Sequence, residues 1–412
     1  MLTLALAHLL HRRLRTALCV LAVAIGIAML VVMLAISHGM LNEVADRVQS
    51  VDADLIVLPD NENVIFTAGA AFSGRVKPVI DAFSFEGRPV VGRTIGVMLD
   101  TLHLGGQQQR LFAVDRDDMP AFLAGRRVVQ GRLFDEGRAF GRRVDALRND
   151  QGYYDPASIS EEELLPACEL VIDTRLARVG GYTVGEWVTF LGRPFRIVGI
   201  VESGVAGRVF CPLPVLQHIK NGGAPWVSLF FVKVRPPPPG SAWAAATRGA
   251  EYEEAVAEAM SQTLKAKVEP KSGYRRLMYE GFAQIYLYIN LASGLALAVC
   301  FIIILLTMYT LVVERTREIG ILKSLGAGRG QLVGQVVLEA VLICGVGTAV
   351  GLGLAVGAKF AIESWRPLLT LSIEPSFVGW ATAIGVAGGG LSALYPGFRA
   401  ARLDPVAALA VE

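Results

Sequence analysis

The hydrophobic residues of this chain are gathered into four long stretches instead of being spread evenly. The stretches cover residues 17–37, 285–313, 331–362 and 377–396. Because a helix needs about 20 apolar residues to cross the hydrocarbon layer of a bilayer, each stretch is long enough for one crossing. The pattern predicts an α-helical membrane protein with four transmembrane helices. Within the last stretch, Pro396 is predicted to end the helix.

The first apolar stretch has two readings, a retained transmembrane helix or the core of a cleaved signal peptide. Its apolar run is about twice the roughly 7–15 residues of a signal-peptide core, which favours the retained helix. The residues before it, 1–16, combine leucines with Arg12, Arg13 and Arg15. This pattern predicts a basic amphipathic helix that lies on lipid headgroups.

Residues 38–284, between the first two stretches, follow a different pattern. Short apolar runs alternate with turn residues such as Gly-Arg-Pro at 192–194, which is typical of strands. A helix with one apolar face is predicted over 251–265, and a stalk helix near 274–284 leads into the second stretch. The pattern predicts a large α+β domain with two subdomains, inserted between helices 1 and 2. Predicted strands cover residues 54–58, 170–172, 187–191, 195–201 and 227–234.

Basic residues predict the orientation of the four helices. Lys and Arg are concentrated at positions that face the cytoplasm in membrane proteins. The termini, 1–16 and 397–412, and the loop 314–330 are therefore predicted to be cytoplasmic, in a multi-pass protein of the cell (inner) membrane. Residues 38–284 and the loop 363–376 are predicted to lie outside. The basic residues that decide this are Arg12, Arg13, Arg15, Arg315, Arg317, Lys323, Arg329, Arg399 and Arg402.

Composition and motifs limit the chemistry. The chain has 412 residues, of which 53% are hydrophobic, and a net charge of +2, which does not indicate a nucleic-acid partner. Its sequence contains no P-loop, HExxH, GxSxG or CxxC motif, and its five histidines are scattered. We therefore predict no catalytic residue, no metal site and no cofactor bound by this chain, and no ATP hydrolysis by it.

The most informative segment is the short charged stretch between the second and third apolar stretches. Apolar residues at helical spacing alternate there with charged ones, and Gly326 stands where a helix would end. So short a helix cannot bury a core of its own, so its apolar side is predicted to face lipid headgroups or the groove of a partner. The residues of this candidate site are Glu314, Arg315, Arg317, Glu318, Ile319, Gly320, Leu322, Lys323, Leu325 and Gly326.

Small residues and cysteines give two further candidates. Four glycines in the third apolar stretch repeat at a spacing that allows helices to approach closely, either within the chain or with a second copy. They are Gly347, Gly351, Gly353 and Gly357. Cys168 and Cys211 are the two cysteines of the predicted outer domain. They form either a disulfide or two buried thiols.

Glu339 lies either at the membrane interface or within the bundle, facing protein or water.

These features together resemble the FtsX-like and MacB-like permease subunits of ABC transporters. The cytoplasmic segment Glu314–Gly320, with Lys323, Gly326 and Ala327, carries the most specific match. The segments 64–110 and 138–163 have no counterpart that we recognise. Looser matches are the basic N-terminal segment 4–16, the outer-domain segments 131–134, 184–186 and 198–201, and the C-terminal segments 395–402 and 404–409.

The resemblance implies a permease that works with a separate cytoplasmic ABC ATPase, which uses ATP and Mg. It implies a second permease subunit, as homodimer or heterodimer, and it makes residues 314–327 the coupling helix that docks on the ATPase. In this family ATP use drives movement of the outer domain, which is called mechanotransmission. The transporter would export or release a lipoprotein, peptide or amphiphile. It would act together with an extracytoplasmic adaptor or substrate protein. The alternative is a regulator that activates an extracytoplasmic partner such as a cell-wall hydrolase.

Overall fold

The computed structural model describes residues 13–59, 72–150, 152–239, 241, 243, 249–273, 283–314, 316–324 and 327–402. The chain forms two compact units, one of Met1–Met40 with Ala283–Glu412 and one of Leu41–Phe282. We call them the helical unit and the α+β unit. Most of the predicted N-terminal helix, 1–16, and most of the predicted stalk, 274–284, lie outside the described residues.

Twelve α-helices are described within these ranges. In chain order they are α1 (Arg13–Gln49), α2 (Val76–Asp81), α3 (Met119–Leu123), α4 (Asp135–Leu147), α5 (Glu161–Ala167), α6 (Thr174–Gly180), α7 (Leu213–Asn221), α8 (Gly249–Leu264), α9 (Ala283–Glu314), α10 (Thr316–Ser324), α11 (Arg329–Trp365) and α12 (Pro375–Arg402).

The same ranges contain fourteen β-strands. They are β1 (Leu55–Leu58), β2 (Phe72–Ser73), β3 (Ser84–Phe85), β4 (Arg88–Pro89), β5 (Val91–Leu104), β6 (Gln107–Val114), β7 (Val128–Gly131), β8 (Glu169–Asp173), β9 (Trp187–Phe190), β10 (Arg193–Val201), β11 (Val209–Pro212), β12 (Trp226–Val227), β13 (Leu229–Val234) and β14 (Lys267–Pro270).

Within the described residues, four helices are long and apolar enough to cross a membrane, as the sequence predicts. They comprise Thr16–Gly39 of α1, Leu287–Glu314 of α9, and the whole of α11 and α12. Their shared core contains Ile27 of α1, Ile304 of α9, Cys344 of α11 and Ala393 of α12. Small side chains at this core let the helix backbones approach closely, as in other membrane helix bundles. The buried Glu339 belongs to α11.

The prediction that Pro396 ends the last helix is wrong, because α12 continues to Arg402. Proline lacks the N–H that would bond the carbonyl four residues earlier, here that of Ser392. Pro396 is nevertheless buried in the helical unit. Packing around a membrane helix can hold it together across a proline, because neighbouring groups satisfy the freed carbonyl. Local propensity therefore yields to tertiary contacts at this position.

The α+β unit is built on a ten-stranded mixed sheet. The strand order is β14-β1-β13-β5-β6-β11-β8-β10-β7, with β9 paired to β10. The long strand β5 joins two parts, because its first half pairs with β13 and its second half with β6. The prediction of a large α+β domain is confirmed. Strand β5 lies within the segment 64–110, which the sequence did not assign, although its run of β-branched and apolar residues is a strand signal.

Aromatic side chains hold the two parts of this sheet together. Phe122 of α3 is fully buried. Its ring lies 5.6 Å from that of Phe231 on β13, 6.2 Å from Phe210 on β11 and 6.4 Å from Phe112 on β6. Aromatic pairs at such separations stabilise by about 0.5–1.5 kcal/mol each beyond their burial. One side chain therefore packs against both parts of the sheet.

Candidate functional site

The segment that the sequence predicts to be a coupling helix contains the nine-residue helix α10. It follows α9 after one residue, and the hydroxyl of Thr316 donates a hydrogen bond of 2.5 Å to the carbonyl of Val313. Its first side chain therefore satisfies one of the carbonyls left free at the end of α9. Of the predicted site, Arg315, Leu325 and Gly326 lie outside the described residues, and so do the side chains of Arg317, Glu318 and Leu322.

The apolar side of α10 packs against the helical unit itself. Ile319 is only 8% exposed and lies in a cluster with Val312 of α9, Leu332 of α11 and Ala400 of α12. The expectation that Ile319 faces a partner is therefore corrected. Sequence periodicity identifies an apolar face, but it does not say whether that face is covered by the same chain or by another.

Another apolar side chain of α10, that of Ile321, faces away from the helical unit. Ile321 is 44% exposed, whereas Gly320 beside it is buried. Ile321 was not among the residues predicted from the sequence. The sequence did contain a signal for this exposure. Ile321 lies two positions after Ile319, and residues two positions apart lie on different faces of a helix. The outward surface of α10 therefore includes an apolar residue that the helical unit does not cover.

Two contacts made by charged side chains also join the ends of these helices. The ammonium group of Lys323 donates a hydrogen bond of 3.0 Å to the carbonyl of Ala401, in the last turn of α12. Cations at the C-terminal end of a helix are favoured by the free carbonyls and the helix dipole. The guanidinium of Arg399 lies 5.1 Å from the ring centre of Tyr309 on α9, within cation–π range.

These contacts define the site as a joint between four helices. We use the name coupling joint for α10 with Val312, Leu332, Arg399 and Ala400–Ala401. Apolar burial and a hydrogen bond fix α10 to the ends of α9, α11 and α12. Helix α10 therefore contacts the ends of all three. Sequence reasoning found α10 and Lys323 but did not identify which helix ends they contact.

The four glycines of α11 fall into two groups. A β-carbon at Gly347 would lie 2.7 Å from Cβ of Val23, and one at Gly351 would lie 2.7 Å from the carbonyl of Ala24. These two glycines thus allow α11 to pack on α1 of the same chain. At Gly353 and Gly357 a β-carbon would meet no atom within 4 Å. The spacing is the same in both pairs, but only the first contacts α1.

Cys168 and Cys211 are both buried and both free. Strands β8 and β11 are antiparallel with Val209 opposite Ile172, so continuing this register places Cys211 opposite Leu170. Cys168 is then a diagonal neighbour, and such pairs are about 7–8 Å apart, too far for a relaxed disulfide. Of the two alternatives, a disulfide or two buried thiols, the structure has the thiols. Burial raises the pKa of Cys168 to about 12 and that of Cys211 well above its ordinary value.

The three outer-domain segments that carried the family resemblance come together at one side of the sheet. Gly131 of β7 pairs with Gly199 of β10. The amide of Arg132 donates to the carbonyl of Val198 at 2.9 Å, and that of Gly185 donates to Ile197 at 2.7 Å. Gly131 has φ +74° and Gly185 has φ +99°, which only glycine adopts readily. These residues therefore shape the backbone. Among the described residues no cluster of three or more His, Cys, Asp or Glu could hold a metal ion.

Comparison with known proteins identifies the family of this chain. The family model described as MacB-like periplasmic core domain matches residues 16–259, and the model described as FtsX-like permease C-terminal matches residues 290–405. Apolar helices joined to such a domain define the class of ABC transporter permeases. The chain belongs to the FtsX-like permeases with a MacB-like periplasmic core domain.

Individual relatives are distant. The macrolide export ATP-binding/permease protein MacB of Shewanella sp. is 28% identical over 99% of this chain and 60% of its own length. The uncharacterized ABC transporter permease YknZ of Bacillus subtilis is 39% identical over 29% of this chain and 30% of its own. The periplasmic region of MacB from Actinobacillus actinomycetemcomitans, a crystal structure, aligns with 56% of this chain and 94% of its own, at 13% identity and a TM-score of 0.35. The chain thus spans about three fifths of the length of the Shewanella relative.

Proposed function

We propose that this chain is the membrane permease part of an ABC transporter and couples ATP hydrolysis to movement on the outer side of the membrane. The coupling joint carries the proposal. A short helix that is fixed to the ends of three membrane helices, with Ile321 facing outward, is suited to receive a force from a cytoplasmic partner. The ATPase, with its ATP and Mg, would lie outside these 412 residues, which contain no P-loop.

The orientation is part of the proposal. The basic residues Arg329, Arg399 and Arg402 support a cytoplasmic position of the joint, by the positive-inside rule. The α+β unit then lies outside the cytoplasm, inserted between the first and second membrane helices. Helix α1 runs without a break from Arg13 to Gln49 and so contributes residues to both units.

The proposed mechanism uses tight packing instead of a chemical step. When the ATPase closes on ATP, it would displace α10. Because Ile319 is enclosed by Val312, Leu332 and Ala400, and packed interiors do not compress, the ends of the membrane helices would shift with it. Movement of the helical unit would reach the α+β unit through α1 and the segment before α9. A second permease subunit and an extracytoplasmic adaptor or substrate protein complete the proposed assembly, which acts on a lipoprotein, peptide or amphiphile.

Copurification from native membranes tests the proposal. The tagged chain is extracted in mild detergent as wild type, as Ile321→Asp and as Val129→Asp. Val129 is a matched control, since it is 50% exposed but lies on β7 of the α+β unit. We expect a P-loop ATPase with the wild type and with Val129→Asp, and its loss from Ile321→Asp.

Two results would contradict the proposal in different ways. If Ile321→Asp retains the ATPase, the outward face of α10 is not the docking surface, although the chain still works with an ATPase. If no sample contains a P-loop ATPase, the permease function itself is wrong.

A further inference from the structure

The α+β unit contains a cavity of about 660 Å³ that the coupling joint does not use. Its volume is within the range of about 300–1,000 Å³ that is usual for small-molecule sites. It lies where the two parts of the sheet meet, since Gly96 of β5 and Phe230 of β13 line it together with Gly137 of α4 and Pro212 of β11. The rings around Phe122 hold the same two parts of the sheet together.

The cavity is found at a characteristic place in the sheet. Strands β6 and β11 are parallel neighbours. Asp115 directly follows β6, Leu213 directly follows β11, and both line the cavity. Ligand sites in sheets with helical connections form outside the carboxyl ends of parallel strands, because the chain leaves the sheet there and opens a crevice. The position therefore favours a ligand site over a packing fault.

Most charged side chains around the cavity are paired. Asp117 binds Arg138 at 2.9 Å, Asp118 binds Arg93 at 2.8 Å, and Asp145 binds Arg148 at 2.9 Å. Four lining side chains make no hydrogen bond or ion pair within the described ranges, and their charges are two negative and two positive. They are Lys77, Asp115, Arg142 and Asp150.

Of these four side chains, Asp115 is the one whose negative charge is disfavoured by burial. Burial raises its pKa to about 6, and the carboxylates of Asp118 and Asp145 add to the rise, while Lys77 and Arg148 act against it. A carboxylate that is partly desolvated and lacks a direct partner is stabilised by an incoming cation that can hydrogen-bond to it. Apolar side chains of the same wall, among them Val227, Phe230 and Leu213, would contact the uncharged part of a ligand.

We propose that this cavity binds a small zwitterion of the amino-acid or short-peptide class, with its ammonium group on Asp115 and its carboxylate on Lys77 and Arg142. Such a ligand matches both signs of unpaired charge, which an organic cation or an anion alone would not. This site is independent of ATPase docking, so neither proposal depends on the other.

Calorimetric titration of the purified full chain in detergent at pH 7.5 tests the site. The probes are tri-alanine with free termini, N-acetyl-tri-alanine and tri-alanine amide. We expect tri-alanine to bind and each blocked peptide to bind at least about tenfold more weakly, because each has lost one charge-assisted hydrogen bond.

Variants assign the two ends of the ligand. Asp115→Asn should weaken tri-alanine at least about tenfold and leave N-acetyl-tri-alanine unchanged. Arg142→Gln, a change of an exposed side chain that should not affect folding, should weaken tri-alanine and leave the amide unchanged. Asp81→Asn is the matched control, an exposed aspartate of α2 outside the cavity, and should bind as the wild type does.

Three results would overturn the inference. They are the absence of binding by tri-alanine up to about 10 mM, equal affinity of the free and acetylated peptides, and equal affinity of the wild type and Asp115→Asn. Cooperative thermal unfolding of each variant shows that it is folded before it is titrated.

Discussion

The ammonium group of Lys323 on α10 donates a hydrogen bond to the carbonyl of Ala401, 3.0 Å away in the last turn of α12. This bond ties α10 to the end of a membrane helix, at a residue 78 positions further along the chain. We expect Lys323→Met to lower stability by about 1–2 kcal/mol, because a carbonyl at the end of α12 loses its donor. Thermal unfolding in detergent measures this, with Lys323→Arg as the control that keeps the cation. If the Met variant melts like the wild type, the bond does not hold the joint.

Backbone continuity of α10 gives a second prediction. Gly320 is buried in the middle of this nine-residue helix. Proline there would remove a helical hydrogen bond and clash with the preceding turn, at a cost of about 3 kcal/mol. We expect Gly320→Pro to lower the melting temperature and also to lose the copurifying ATPase, whereas Ile321→Asp should lose the ATPase alone. A Gly320→Pro variant that retains the ATPase would contradict the proposed docking through α10.

The glycines of α11 allow a matched comparison. Leucine at Gly347 or Gly351 would collide with Val23 or with the carbonyl of Ala24, and overpacking of this kind costs about 1–3 kcal/mol. At Gly353 and Gly357 an added β-carbon would meet no atom of the chain within 4 Å. We expect lower melting temperatures for the first pair only. Equal effects at all four positions would mean that the contact between α11 and α1 is not as described. A loss of assembly with unchanged monomer stability at Gly353 or Gly357 would instead indicate a contact with a second copy.

Asp115 predicts a pH-dependent stability. Its pKa rises from the ordinary 3.8 to about 6 on folding, so the folded state binds the proton more tightly than the unfolded state does. The stability that this proton contributes is complete below about pH 4 and is lost as the pH rises through about 6. Asp115→Asn should therefore be more stable than the wild type at pH 7.5, by at most about 3 kcal/mol. The difference should disappear towards pH 4, as measured by thermal unfolding across pH. Asp81→Asn should show no such trend, and a parallel trend in both variants would refute the assignment to Asp115.

The two cysteines of the α+β unit give a chemical test. Because burial raises the pKa of Cys168 to about 12 and shields Cys211 completely, neither should react with a maleimide in the folded chain at pH 7.5. After denaturation without reductant, both should react. Mass spectrometry of the two peptides reads the result. Protection of both cysteines that is relieved only by reductant would show a disulfide and contradict the structure.

The sequence identified most of the elements but few of the contacts. Four stretches of apolar residues were enough to identify four membrane helices, because helix length and hydrophobicity decide bilayer insertion almost locally. The helix α8 follows from its periodicity in the same way, and the strands β1 and β10 follow from their short apolar runs. Strand β5 was not identified because its pattern is nearly continuous, with buried residues on both faces from Ile95 to Asp100.

The predictions for individual side chains depended on what covers each side chain. The periodicity of α10 correctly identified an apolar face at Ile319, but only the fold shows that Val312, Leu332 and Ala400 cover it and leave Ile321 outward. Residues so far apart in the sequence carry no local signal of their contact. The cavity around Asp115 is of the same kind, because its walls include residues of β5, β13, α4 and β11.

The sequence by itself determined the class of this protein. Hydrophobic runs, basic flanks and the segment at residues 314–327 are local properties, and local free energies of insertion and helix formation suffice to interpret them. The tertiary structure decided which glycines pack, that Cys168 and Cys211 stay unbonded, and where Lys323 and Asp115 find or lack partners. Each of these depends on register and on packing between distant segments, which the order of residues along one element does not express.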